Sequence, residues 1–303
     1  MSFLIQHLSF SYGSVRALKD VSFEFDTASR IALVGANGAG KSTLMALVSG
    51  ALQINHGTIR FNGRNQGEFP HIRTLVSHLP QDAYFPSGVS IRKSLTHFSR
   101  LRGKSPKEAR IQADRLIEEV GLSDAKDRND RELSHGMRKR AALAQALIPE
   151  AQLLILDEPT AGLDPVHAHQ IRDIIRNLEK ATTVLISSHN LGELEDLCDQ
   201  VVILDQGSLK FSGSMREATQ ARFHLRLRVS HMTADVLAVL TRQGLEFESD
   251  GNELTIRQTS PDHGSEANVR AALIAILQAG INIESLNHGT SLEASLIETL
   301  KNS

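Results

Sequence analysis

Tryptophan is absent from the 303 residues, tyrosine occurs twice and cysteine once. One cysteine, Cys198, cannot close an internal disulfide, and that usage suits a reducing compartment. Stability must come from packing, and a chain of this length can bury one large core or two of ordinary size. Neither charge sign dominates. The 33 Lys+Arg and 35 Asp+Glu leave a formal charge of −2, which lacks the positive excess of a general nucleic-acid binder. Long apolar runs are also missing. A membrane span needs about 20 mostly apolar residues, and the best candidate, Ala271 to Leu277, is far shorter and flanked by polar residues. Met1 to His7 shows no basic stretch followed by an apolar run, so no signal peptide is expected. The expectation is a chain that reaches a membrane only through a partner.

What is present is patterned. Phe3, Ile5, Leu8 and Phe10, then Val21, Phe23 and Phe25, sit among polar neighbours as strand residues do. Ile31 to Val34 is a short apolar run that leads into glycines, and Leu44, Leu47 and Val48 beyond them have helical spacing. From about residue 86 to 148 the pattern is helical, with Ser105-Pro106-Lys107-Glu108 as a capping box and Gly121 as a stop. Leu153 to Leu156 and Val184 to Ile186 are fully apolar, as strands buried on both faces of a parallel sheet require. Asp164-Pro165 opens a helix between them, and Val201 to Leu204 and Leu209 to Phe211 flank a turn at Asp205-Gln206-Gly207. The stretch 221–303 reads as a separate small unit. A strand at Phe223 to Val229 and a short helix lead to a hairpin turning at Asp250-Gly251. A loop at Thr259 to Ser265, a helix from Ser265 to Gln278, a strand at Ile281 and Ile283 and a last helix from Leu292 follow. That βαββαβ order predicts a ferredoxin-like α+β unit.

The chemistry concentrates at Gly35-Ala36-Asn37-Gly38-Ala39-Gly40-Lys41-Ser42-Thr43, which fits G-x-x-x-x-G-K-[ST]. At ordinary glycine usage a chance match in a chain this long has a probability of roughly 1%, and this one falls between a predicted strand and helix. The glycines let backbone N–H groups face phosphate oxygens. Lys41 offers a charge to the β/γ-phosphates, and the Ser42 hydroxyl can ligate Mg²⁺. The start of the following helix adds to an anion site. Kinases, GTPases and motors share such a loop, so it does not name the reaction. Asp157 and Glu158 end the Leu153 to Leu156 run; the first is placed to hold Mg²⁺ and the second to orient or deprotonate a water for in-line attack.

With these residues in order, the chain resembles the ATP-binding subunits of ABC transporters over residues 1 to about 215. Phe10-Ser11-Tyr12-Gly13 resembles the segment whose aromatic ring, here Tyr12, stacks on adenine. Leu79-Pro80-Gln81 resembles the Q-loop, whose glutamine touches Mg²⁺ and senses the membrane partner. Leu133-Ser134-His135-Gly136-Met137 resembles the LSGGQ signature, Ala161-Gly162-Leu163-Asp164 the D-loop, and Ser187-Ser188-His189 the switch histidine at the γ-phosphate. Taken singly, Tyr12 reads as a packed aromatic, Gln81 as a loop polar residue and His189 as a structural histidine. Their shared order favours the family reading.

The resemblance implies an α/β P-loop NTPase core with an antiparallel β subdomain and a helical subdomain, followed by the accessory unit at 221–303. It implies ATP and Mg²⁺ as ligands, with catalysis by Glu158, His189 and Gln81, and metal contacts from Ser42, Gln81 and Asp157. Two copies would pair, a homodimer by expectation, so that Ser134 and Gly136 of one reach the ATP of the other. His135 and Met137 depart from LSGGQ, while Ser134 and Gly136 are kept. Arg138, Lys139 and Arg140 read as a solvated helix face rather than a nucleic-acid patch. A separate transmembrane permease is implied, docking on the helical insert, which places the chain in the cytoplasm, peripheral on the membrane's cytoplasmic face. The C-terminal unit is similar to the tail of some bacterial exporter ATPases and so points to export. The alternatives are a soluble ABC ATPase of translation or DNA maintenance, disfavoured by the single ATP site and by the short stretch between Lys41 and Ser134, which leaves no room for a long coiled coil, and a nucleotide-responsive binding module, disfavoured by Glu158 and His189.

Overall fold

A computed structural model describes residues 2–65, 75–82, 85, 88–178, 181–220, 223–232, 234–242, 245–258, 270, 273–274, 276–278 and 280–288. The chain divides into two compact units, Met1–Met215 and Arg216–Ser303.

In the first unit, β1 (Ser2–Tyr12), β2 (Val15–Asp26), β4 (His56–Phe61) and β5 (Arg64–Asn65) form an antiparallel sheet in the order β2-β1-β4-β5. The apolar positions of β1 break step between Ile5 and Leu8, and the structure shows why. Ile5 pairs with Phe23 and Leu8 with Val21, so β1 carries one extra residue there, with His7 at a φ of 50°. This β-bulge turns the strand by one position and returns Leu8 and Phe10 to the core face.

The second sheet is the scaffold of the site. Its strands are β3 (Arg30–Val34), β6 (Val76–Leu79), β7 (Leu153–Asp157), β8 (Thr183–Ser187), β9 (Gln200–Asp205) and β10 (Ser208–Ser214). They run in the order β10-β9-β3-β8-β7-β6, parallel except for the β9–β10 hairpin. The apolar runs of β7 and β8 are buried on both faces, as their composition demands. Register levels the strand ends: Ser187 lies opposite both Leu33 and Asp157. The segments after β3, β7 and β8 therefore emerge side by side at the carboxyl edge, where open α/β sheets bind ligands.

Helix α1 (Lys41–Val48) buries Leu44, Met45 and Leu47 in one core shared by the antiparallel sheet and the parallel one. A second core joins α2 (Ile91–Leu101), α3 (Pro106–Glu119) and α4 (His135–Leu147) through Ile91, Leu95, Leu116, Ile117, Ala141 and Ala144. The capping box of α3 is formed: Glu108 N–H donates to Ser105 Oγ at 3.3 Å and Ser105 N–H to Glu108 Oε2 at 2.9 Å. Helices α5 (Pro165–Arg176), α6 (Leu191–Leu197) and α7 (Met215–Gln220) follow β7, β8 and β10.

In the second unit, β11 (Phe223–Val229), α8 (Ala234–Arg242), β12 (Glu246–Asp250), β13 (Glu253–Gln258) and β14 (Ile283–His288) give an antiparallel sheet ordered β12-β13-β11-β14. Leu227, Val229, Leu254 and Ile256 bury one face against Val236, Leu240 and Ile276. The hairpin turns one residue later than the reading at Asp250-Gly251. Asp250 pairs with Glu253, leaving Gly251 and Asn252 at the turn, because the pairing of Phe247 with Ile256 sets the register. The Thr259 to Ser265 loop, the start of the Ser265 helix and the helix expected from Leu292 lie outside the described residues.

Leu185 has no exposed surface and sits centrally in the parallel sheet. Leu185→Ala is expected to lower unfolding free energy by about 2–5 kcal/mol through lost burial and a cavity, measured by urea denaturation.

Candidate functional site

The loop from Gly35 to Gly40 joins β3 to α1. A Cβ on Gly35 would lie 2.4 Å from the Leu204 carbonyl oxygen, and one on Gly40 2.8 Å from that of Ala17. Gly40 also sits at a φ of 102°, which favours glycine. Both glycines are thus demanded by backbone packing beneath the loop. Gly38, at a φ of 81°, has open space around it, and Ala36, Asn37 and Gly38 are exposed along the loop's outer side. Thr43 is half-buried in the first turn of α1. Lys41 is buried, and its ammonium donates to the carbonyls of Gly35 at 2.7 Å and Ala36 at 3.2 Å. Burial lowers its pKa, and the nearby Glu158 and Asp157 oppose that shift.

The end of β7 supplies the acidic side. Asp157 Oδ2 accepts from the Ser42 hydroxyl at 3.3 Å, and its Oδ1 accepts from Ser187 Oγ at 2.5 Å. Ser187 Oγ in turn accepts the N–H of Glu158 at 3.0 Å. Glu158 adopts a φ of 50°, uncommon for a residue with a side chain and a conformation that accumulates at functional sites. Its side chain is 9% exposed, and the carboxylate is held from two sides. Gln81 Nε2 donates to Oε2 at 3.2 Å, and His189 Nε2 lies 2.6 Å from Oε1. Three segments distant in sequence thus meet on one carboxylate. Ser187, whose hydroxyl joins the ends of β7 and β8, carried no role in the sequence reading; its only signal was a polar residue closing an apolar run.

Helix α4 corrects the reading of Arg138 to Arg140 as a solvated face. Only Arg138 is exposed. Lys139 Nζ donates to the carbonyls of Gln81 at 2.9 Å and Glu158 at 3.4 Å. Burial lowers its pKa, while Asp82, Glu158 and Asp157 oppose that. Arg140 is buried and donates to the carbonyls of Val120 and Gly121, closing α3 from outside. A run of basic residues on a helix says nothing of which one faces a neighbour.

Ser134 caps α4 by accepting the Met137 N–H at 3.2 Å. The signature and D-loop segments interlock in this chain. A Cβ on Gly162 would stand 3.2 Å from the His135 ring, and one on Gly136 would stand 3.1 Å from the ring of His167, which Asp164 holds through Nδ1. Tyr12 is 52% exposed at the end of β1, with its ring edge-on to Phe10. Among the described residues, no hydrogen bond links Tyr12, Ser134 or Gly136 to the cluster around Glu158.

A glycine-rich strand-to-helix loop with a buried lysine, facing an acidic strand end in a parallel sheet, defines a P-loop NTPase. The family model described as ABC transporter matches residues 18–161. The ABC transporter ATP-binding protein YxlF of Bacillus subtilis is 37% identical over 71% of this chain and 72% of its own. The daunorubicin/doxorubicin resistance ATP-binding protein DrrA of Streptomyces peucetius is 31% identical over 92% of this chain and 86% of its own. A solved ATP-binding subunit of an ABC transporter superposes with a TM-score of 0.65 at 29% identity, covering 72% of this chain and 92% of that one. The chain belongs to the ABC transporter family, as an ATP-binding subunit that hydrolyses ATP.

Lys139→Met removes the two ties between α4 and the segments bearing Gln81 and Glu158. Hydrogen bonds to charged groups contribute about 1.5–3 kcal/mol, so steady-state ATPase turnover is expected to fall roughly tenfold or more.

Proposed function

We propose that the chain works as one half of a paired ATPase that drives a separate transmembrane permease. The observation that carries the catalytic reading is the Glu158 carboxylate, held between Gln81 and His189 beside the Lys41 loop. Glu158 orients or deprotonates the attacking water. Lys41 and the loop amides from Gly35 to Thr43 hold the β- and γ-phosphates, and His189 contacts the γ-phosphate. Tyr12, exposed at its strand end, stacks on adenine. Ser42 Oγ and Asp157 Oδ2, hard oxygens 3.3 Å apart, suit Mg²⁺, with Gln81 as a further donor. When bound, Mg²⁺ supplies charge neutralisation at the phosphates.

Ser134 and Gly136 then act on the ATP of a second, identical copy. The start of α4 supports this, since a helix N-terminus favours an anion. A cavity of about 550 Å³ lined by His78, Leu79, Pro80, Phe98, Leu101 and Arg102 opens beside the Gln81 segment and the helical subdomain, which supports docking of the permease there. Among the described residues no helix is long and apolar enough to cross a membrane. With a permease as partner, we place the chain in the cytoplasm, peripheral to the membrane. Export is the direction we favour, because the likeness to the daunorubicin/doxorubicin resistance protein runs over nearly the whole chain, C-terminal unit included. Residues 1–215 are the ATP-binding domain, with a helical subdomain at about 86–148, and 221–303 an accessory domain. The strand order β12-β13-β11-β14 supports a ferredoxin-like fold for the latter.

Glu158→Gln is expected to reduce steady-state ATPase activity by at least 100-fold, as loss of a catalytic base does, with ATP still bound. Wild-type turnover in that variant would sink the assignment. Lys41→Ala is expected to abolish ATP binding by equilibrium titration. Removing residues 221–303 is expected to weaken self-association in sedimentation and to lower turnover with it at low protein concentration; unchanged values in both would argue against a regulatory or dimerising tail.

A further inference from the structure

Outside the contacts already described, one largely covered carboxylate joins the loops that carry Glu158 and His189. Glu193 lies in the first turn of α6, and its side chain is 11% exposed. Oε1 accepts from Arg172 Nη1 of α5 at 2.5 Å. Oε2 accepts from Thr160 Oγ1 at 2.8 Å and, more weakly, from Ser188 Oγ at 3.4 Å. Thr160 stands two residues after Glu158 at the head of the D-loop, and Ser188 directly precedes His189. The turn between them is also fixed: Asn190 N–H donates to Ser188 Oγ at 3.0 Å, and Asn190 Oδ1 accepts the Glu193 N–H at 3.3 Å. Glu158, Thr160, Arg172, Ser188, His189 and Glu193 line one cavity of about 430 Å³.

A carboxylate this buried needs its partners, and here they come from three separate elements. Arg172 offsets the charge, leaving the second oxygen free to hold the two hydroxyls. Glu193 thus lies behind the pair in which His189 approaches Glu158 at 2.6 Å, bonded to the loop on either side. We infer that Glu193 is a positioning residue for ATP hydrolysis, coupling the D-loop to the switch histidine so that Glu158 and His189 are aligned together. The inference rests on the catalytic reading of Glu158 and His189. It predicts an effect on turnover and none on nucleotide capture, because neither Glu193 nor its partners touch the Gly35 to Ser42 loop among the described contacts.

The test uses the full chain, with steady-state ATPase kinetics and equilibrium titration of a fluorescent non-hydrolysable ATP analogue. Glu193→Ala is expected to lower kcat at least tenfold, with the Kd of the analogue within twofold of wild type. Glu193→Gln keeps the shape and one acceptor and is expected to recover part of that loss. Thr160→Val should lower kcat severalfold, and the Thr160→Val/Glu193→Ala pair should be no slower than Glu193→Ala, as groups acting as one unit are non-additive. Should Glu193→Ala fail to fold, because Arg172 is left unpaired, Glu193→Gln and Thr160→Val carry the test with the same split between kcat and Kd. Unchanged kcat in the folded variants, parallel loss of kcat and binding, or additive effects would each overturn the inference. Glu158→Gln, assayed alongside, separates the two levels. Retained turnover there removes the catalytic reading itself, whereas lost turnover there with normal Glu193 variants removes only the coupling.

Discussion

The Ser187 hydroxyl bridges the ends of two parallel strands, and the site is built outward from that bridge. It donates to Asp157 at 2.5 Å and accepts the Glu158 N–H at 3.0 Å, so one small side chain fixes both carboxylate-bearing residues at the edge of β7. Parallel register makes this possible, since Ser187 stands level with Asp157 on one side and Leu33 on the other. Were the strands offset by one position, their alternating side chains would face opposite sides of the sheet. The left-handed backbone of Glu158 then turns its carboxylate toward Gln81 and His189. Strain at that residue is held by the surrounding hydrogen bonds, in keeping with where such conformations are found.

Charge balance governs the same few residues. Lys41 and Lys139 are both desolvated, which disfavours their charged form, and both are compensated by Asp157 and Glu158. The two ammonium groups differ in what they hold. Lys41 lies on its own loop's carbonyls, within reach of whatever that loop binds, whereas Lys139 ties α4 to the segments of Gln81 and Glu158. The helical subdomain, through Lys139 of α4, is therefore tied directly to the backbone of Gln81 and Glu158. Glu193 makes a second tie, holding the hydroxyls of Thr160 and Ser188 on the segments after β7 and β8.

The readable parts of the site were those fixed by local spacing. Gly35 to Ser42 announced itself because its glycines and lysine stand at set intervals, and the structure gives the backbone reasons for Gly35 and Gly40 in the carbonyls of Leu204 and Ala17. Asp157 and Glu158 were legible as charges ending a run too apolar to be exposed. The roles of Ser187, Lys139, Arg140 and Glu193 were not, since each depends on partners 19 or more residues away or on which face of a helix is covered. The hairpin at Gly251 shows the same limit at small scale: composition marked a turn, and cross-strand packing of Phe247 with Ile256 placed it one residue on.

By itself, then, the sequence determined that this chain cradles a nucleotide phosphate on a parallel α/β sheet, in an order of motifs shared by ABC transporter subunits. Local periodicity, glycine geometry and short-range spacing suffice for that, because they act within a few residues of chain. Only the tertiary structure decided how Gln81, Glu158 and His189 converge, which basic residues of α4 are buried, and that Glu193 clamps two loops from behind. Those outcomes rest on strand register and on desolvated charges finding partners, and both are settled only when distant segments pack together.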